Sequence, residues 1–144
     1  MAIAPNGAIT GSFAQKCTND ELKAMVVGKE ESEALLSLQN GNVVLLCVHK
    51  GQPEDLSRVK VELKAIETNF NGIVVAQYLD SEDKDDVLFI KKLPETSANI
   101  TVFSVIPPGS IMAKLEGDQI NNKNLLSMIQ SSCSSGSCGP SGCN

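Results

Sequence analysis

The chain has 144 residues, 42% of them hydrophobic, with 12 basic against 17 acidic side chains and a formal net charge of −5. That length holds one well-cored domain rather than two, and the hydrophobic share excludes wholesale disorder. The acidic balance and the 3% aromatic content exclude a protein that neutralises phosphates or stacks bases, so no nucleic-acid partner is expected. No apolar run reaches the ~20 residues that span a bilayer, so no membrane role is expected. Residues 1–16 lack the basic and long apolar segments of a secretion signal, and the expected location is cytoplasmic.

In chain order, residues 1–17 are small, polar and punctuated by Gly and Pro, a loose lead-in with a short strand near Ile9 to Phe13. Thr18, Asn19 and Asp20 offer N-caps to a helix that Gly28 interrupts. It resumes over residues 29–39, with Ala34, Leu35 and Leu38 on one side, and stops at Asn40-Gly41. Residues 42–49 (NVVLLCVH) form a continuous apolar run of strand length, the pattern of a strand buried on both faces. Pro53 fits the first turn of the next helix. Its apolar stripe runs through Leu56, Val59, Leu63, Ile66 and Phe70, and Asn71-Gly72 ends it.

Residues 73–79 (IVVAQYL) read as a second buried strand. Ser81 can cap a short helix over residues 82–92, with acids in its first turn and Lys91 and Lys92 in its last, matching the dipole. Residues 100–106 are a strand, Pro107-Pro108-Gly109 a turn, and residues 110–115 the returning strand of a hairpin. Leu125, Leu126 and Ile129 place an amphipathic helix over residues 121–130. Two strand–helix–strand steps predict parallel pairs with right-handed crossovers, and the hairpin adds an antiparallel edge. The expected fold class is α/β, a mixed sheet of parallel core strands plus a C-terminal hairpin, with helices on both faces.

This order of elements, from NVVLLCVH through IVVAQYLD and ITVFSVI to SIMAKLEG and a closing helix, resembles the thioredoxin fold over about residues 18–131. The expected domain is therefore thioredoxin-like over residues 18–130. Where that family places Cys-x-x-Cys, this chain has His49, Lys50, Gly51, Gln52 and Pro53. Where the family places its cis-proline, it has Ala98-Asn99, with Pro94 several residues too early. The resemblance implies the scaffold and withholds the disulfide chemistry at the usual place, and fold alone assigns no function.

Residues 131–144 (SSCSSGSCGPSGCN) hold three of the five cysteines, Cys133, Cys138 and Cys143, at even Cys-x4-Cys-x4-Cys spacing. Without hydrophobic side chains apart from its thiols, such a segment reads as a flexible tail with an average reach of about 20 Å. Three thiols on an open tether suit disulfide exchange or persulfide carriage on a partner protein (a redox enzyme, a sulfur enzyme or an assembly client). Cys143 would be the attacking or carrying thiol, with Cys138 or Cys133 resolving it. The ending Gly139-Pro140-Ser141-Gly142-Cys143-Asn144 resembles the Pro-x-Gly-Cys-x termini of sulfur carriers that serve dissimilatory sulfite reductase. It also resembles the Gly-flanked terminal cysteine of thiosulfate-oxidation carriers. The tail has no Lys, Arg or His to lower a thiol pKa, which shifts activation onto the partner.

Two alternatives stand beside this reading. Cys133, Cys138 and Cys143 can hold a soft metal ion of the zinc, copper or arsenic type, with His49, Cys47 or a second chain as fourth ligand. A redox-silent thioredoxin-like adaptor needs no thiol chemistry, and no organic cofactor is expected in any case. Cys47, inside an apolar strand, reads as a buried hydrophobe, and Cys17 as a free thiol able to pair with the tail. His49 stands at a strand's carboxyl end, where α/β sheets carry their sites. The acidic stretch of residues 81–86 reads as a solvated first helical turn, since it lacks the Gly and closing Glu of a calcium loop.

Overall fold

The computed structural model describes residues 1–13 and 16–132. A four-stranded sheet runs in the order β4-β3-β5-β6, formed by β3 (Val43–His49), β4 (Val74–Asp80), β5 (Ile100–Ile106) and β6 (Ser110–Glu116). All seven residues of β3 are buried, as its unbroken apolar run requires. Alternate residues serve two cores. Val43, Leu45 and Cys47 pack with Leu56, Val59, Leu63 and Ile66 of α3 (Leu56–Asn69) and Leu125 and Ile129 of α5 (Asn122–Ser132). Val44, Leu46 and Val48 pack on the other face with Ala34 and Leu38 of α2 (Lys29–Gln39), and Phe89 of α4 (Lys84–Ile90) joins them. Helices therefore cover both faces, and each fully buried aliphatic side chain contributes about 1.5–3 kcal/mol.

One expected pairing is overturned. β3 and β4 are parallel, but β5 runs antiparallel to β3, with His49 opposite Ile100. The seven residues of α4 rise only about 10 Å, too little to return the chain along strands about 20 Å long. β5 therefore starts at the end where β4 stops. That end, with His49, Asp80, Ile100 and Glu116, is called the upper end here; Val43, Val74, Ile106 and Ser110 lie at the lower end.

Local chemistry moves several boundaries. Residues 2–11, expected as a lead-in with one strand, form a hairpin of β1 (Ala2–Ile3) and β2 (Ile9–Gly11). Gln39 ties it to α2, its amide accepting from the Ile9 N–H at 2.9 Å and donating to the Ile9 carbonyl at 2.7 Å. Thr18 caps α1 (Asn19–Ala24) in a reciprocal box with Glu21. Helix α3 starts at Leu56, after a turn in which the Pro53 carbonyl accepts from the Leu56 N–H at 3.0 Å. Asp83 rather than Ser81 caps α4, because the Ser81 N–H still extends the strand end by donating to the His49 carbonyl. Helix α4 stops at Ile90, and Lys92 pairs with Glu31 of α2 instead of serving the dipole.

A single 3-10 turn, Gly117–Gln119, leads from β6 at the upper end into α5. Arg58 Nη1 donates to the Ile120 carbonyl at 2.7 Å, setting the start of α5 beside the first turn of α3. Helix α5 then runs back over β5 and β6, about 16 Å, so that Ser132 lies towards the lower end. Among the described residues the cis peptide is Pro107-Pro108 in the hairpin turn; Ala98-Asn99 precede β5 as the sequence indicated. No helix among the described residues is long and apolar enough to cross a membrane.

Candidate functional site

The upper end joins two loops, one after β3 and one after β4. Gly51 has φ +60°, and its N–H donates to Asp80 Oδ1 at 3.0 Å. Glu82 N–H donates to the same oxygen at 3.0 Å, and the Asp80 N–H donates to Asp86 Oδ2 at 2.9 Å. Asp80 thus clasps both loops. The two N–H donors, Glu82's foremost, and the neighbouring His49 hold its carboxyl below the usual carboxylate range. His49 is 6% exposed, and its Nδ1 donates to the Gly51 carbonyl at 2.7 Å, which leaves Nε2 as the ring nitrogen able to meet anything else. A methyl group at Gly51 would combine strained φ with a 3.0 Å approach to Glu82 Oε2. Gly51→Ala is therefore expected to lower the unfolding free energy by about 1–2 kcal/mol, read by urea denaturation. An unchanged midpoint would contradict the left-handed turn.

The run expected to be a solvated helical turn is partly internal. Asp86 is 6% exposed, and burial, with the Glu30 and Asp83 carboxylates as further contributors, raises its pKa. A raised folded pKa means that the native state binds this proton more tightly, so stability falls as pH rises through it. Asp80 acts with the opposite sign: its stabilisation is present above the ordinary carboxylate pKa and fades as pH falls through its lowered value. Asp86→Asn keeps an oxygen for the Asp80 N–H and removes the charge. At pH 7 it is expected to match or exceed the parent in melting temperature, with the difference shrinking towards about pH 4. A melting temperature well below the parent at pH 7 would refute this.

Two of the five cysteines lie in the described residues, and both are free thiols. Cys47 is fully buried in β3, and burial pushes its pKa up to about 12. Cys17 is half-buried; partial burial and the Glu21 carboxylate raise its pKa as well. Neither sits in the electropositive setting that makes a reactive thiolate. Cys133, Cys138 and Cys143, expected as the working thiols or metal ligands, lie outside the described residues. His49, their possible fourth ligand, stands at the upper end, whereas α5, to which the tail is joined, ends towards the lower one. Among the described residues no cluster of three or more His, Cys, Asp or Glu is placed to hold a metal ion. Sequence reasoning missed the Asp80 clasp; its one signal was an acid ending a buried strand opposite a glycine loop.

No family model and no curated protein matches the chain. Among solved structures it is similar to thioredoxin f2 from a complex with ferredoxin:thioredoxin reductase, with a TM-score of 0.55 and 14% identity over 67% of this chain and 84% of that one. It is also similar to Deadhead, a germline-specific thioredoxin of Drosophila melanogaster, with a TM-score of 0.54 and 9% identity over 73% and 96%. A third protein with a thioredoxin fold gives a TM-score of 0.56 and 13% identity over 72% and 90%. The chain has the thioredoxin fold, in a form divergent in sequence from these proteins.

Proposed function

We propose that the domain is a scaffold for a C-terminal thiol arm that exchanges disulfides with, or carries sulfur to, a partner protein. The observation that supports this is the division of sulfur along the chain. The described thiols are disfavoured as thiolates, and the other three stand together in the last twelve residues. In the exchange, the Cys143 thiolate attacks one sulfur of a partner disulfide. That S–S bond breaks, a mixed disulfide forms, and a partner thiolate leaves and takes a proton from water. The thiolate of Cys138 or Cys133 then attacks the Cys143 sulfur, closing a disulfide within the arm and releasing the second partner thiolate. Two electrons pass from arm to partner.

The test uses the full reduced chain with glutathione disulfide as probe, followed by mass spectrometry without reductant. A loss of about 2 Da with release of reduced glutathione, mapped to tail cysteines, is expected. The variant with Cys133→Ser, Cys138→Ser and Cys143→Ser should show no such loss. A reductant-labile gain of about 32 Da on the isolated protein would identify the sulfur-carrying branch. Equal exchange by the variant overturns the proposal, as does a stoichiometric metal that blocks the three thiols in the isolated protein.

A further inference from the structure

The charged residues are divided unevenly between the two ends of the molecule. The upper end is built by residues 49–55 (HKGQPED), 80–86 (DSEDKDD), 91–97 (KKLPETS) and 114–123 (KLEGDQINNK), all charge-rich. The loops of the lower end fall within residues 34–48, 68–79 and 97–113, and the end of α5 within residues 124–132. None of these four stretches contains an Asp, Glu, Lys or Arg. The β1–β2 hairpin, clamped on Gln39 at the foot of α2, belongs to residues 1–15, which hold no charged side chain either. On α3, Lys64 and Glu67 lie near this end, but they pair with each other at 3.4 Å, and Glu67 also accepts the Ala76 N–H at 2.9 Å.

The uncharged end is also apolar in places. Ile73 is 58% exposed, Ile9 45%, Met112 42% and Ile111 37%. Beside the hairpin turn lies a cleft of about 160 Å³, lined towards that turn by Leu35, Leu38, Val44, Val105, Gly109 and Ile111; its other side reaches Phe89 and the Glu31–Lys92 ion pair, whose opposite charges cancel. It has room for an aliphatic side chain, and Met112, next to Ile111 in β6, is an exposed and flexible one.

We propose that the occupant of this lower end is a second copy of the chain, docked across a two-fold axis. An isologous contact sets the same patch against itself, so any single-sign charge on it would repel its own image. With a net charge of −5 carried elsewhere, the lower end is the face on which two copies meet without like-charge repulsion or buried unpaired ions. The cleft and the protruding Ile73 and Met112 supply the unlike features that a self-complementary patch needs. Helix α5 ends towards this same end at Ser132, so the contact also brings the C-termini of two α5 helices to one side of the assembly.

The proposal does not require the tail chemistry, and its test keeps the two apart. Light scattering and sedimentation equilibrium of the full chain under reducing conditions should give twice the monomer mass, with less than about twofold change in affinity between about 0.05 and 0.5 M salt. Ile73→Lys combined with Ile111→Lys, at exposed positions where folding is checked by circular dichroism, should weaken the dimer at least tenfold, and the milder Met112→Ala less so. Lys50→Glu at the opposite end should leave it unchanged, as should serine at Cys133, Cys138 and Cys143. A monomer at every concentration overturns the proposal. So does a dimer indifferent to the two lysines, one that salt dissolves, or one lost with the tail thiols.

Discussion

Phe103→Ala is expected to lower the unfolding free energy by about 3–5 kcal/mol, a large part of the 5–15 kcal/mol available to a domain of this size. Phe103 is fully buried in β5, opposite Leu46 of β3, and packs with Ala34, Leu38, Val48 and Leu79. Its ring also floors the cleft of about 310 Å³ bounded by Val87, Ile90, Leu93 and Pro94. Truncation therefore opens that cleft into the core between the sheet and α4, with no neighbour placed to refill it. Beyond the lost transfer energy, the cavity itself adds to the loss. The urea midpoint should fall without a change in slope, since the surface exposed on unfolding is nearly the same. Phe103→Leu keeps much of the volume and should lose under about half as much. A loss below about 1 kcal/mol for the alanine variant would mean that α4 does not close over this face.

What the sequence revealed follows from which forces act locally. The unbroken run of β3 and the 3-4-3-4 stripe of α3 express burial that every residue feels directly, so both elements were legible. The direction of β5 depends on whether α4 is long enough to recross the sheet. Helix length was readable only approximately, because Ser81, Asp83 and Asp85 all offer plausible starts. Lys92 looked like a dipole partner because its true partner, Glu31, lies 61 residues away. The same distance problem hid the Asp80 clasp, where Gly51 and Glu82 converge on one oxygen from different loops. Charge-free stretches were visible as text. They acquired meaning only when the topology set residues 39–42, 69–73 and 107–110 at one end. For the tail, spacing and composition remain the basis of its reading.

The five thiols should label in a fixed order set by protonation and access. With iodoacetamide in excess at about pH 8, a thiol of pKa about 12 is ionised to roughly one part in ten thousand, against about a quarter for an ordinary thiol of pKa about 8.5. Cys47, with its pKa pushed up to about 12, is therefore at least about a thousandfold slower than an open thiol before access is counted. Full burial adds the requirement that β3 leave the core, so its labelling in native buffer should follow the unfolding equilibrium and jump in urea. Cys17, half-buried beside Glu21, should label between these limits, and faster in Glu21→Gln because the repelling carboxylate is gone. The proposed arm predicts that Cys133, Cys138 and Cys143 label first. Cys47→Ala should leave disulfide exchange untouched while lowering stability modestly, separating a packing thiol from working ones. If Cys47 instead labels in native buffer as fast as Cys143, β3 is not the buried centre of the sheet, and the division of sulfur between core and arm fails with it.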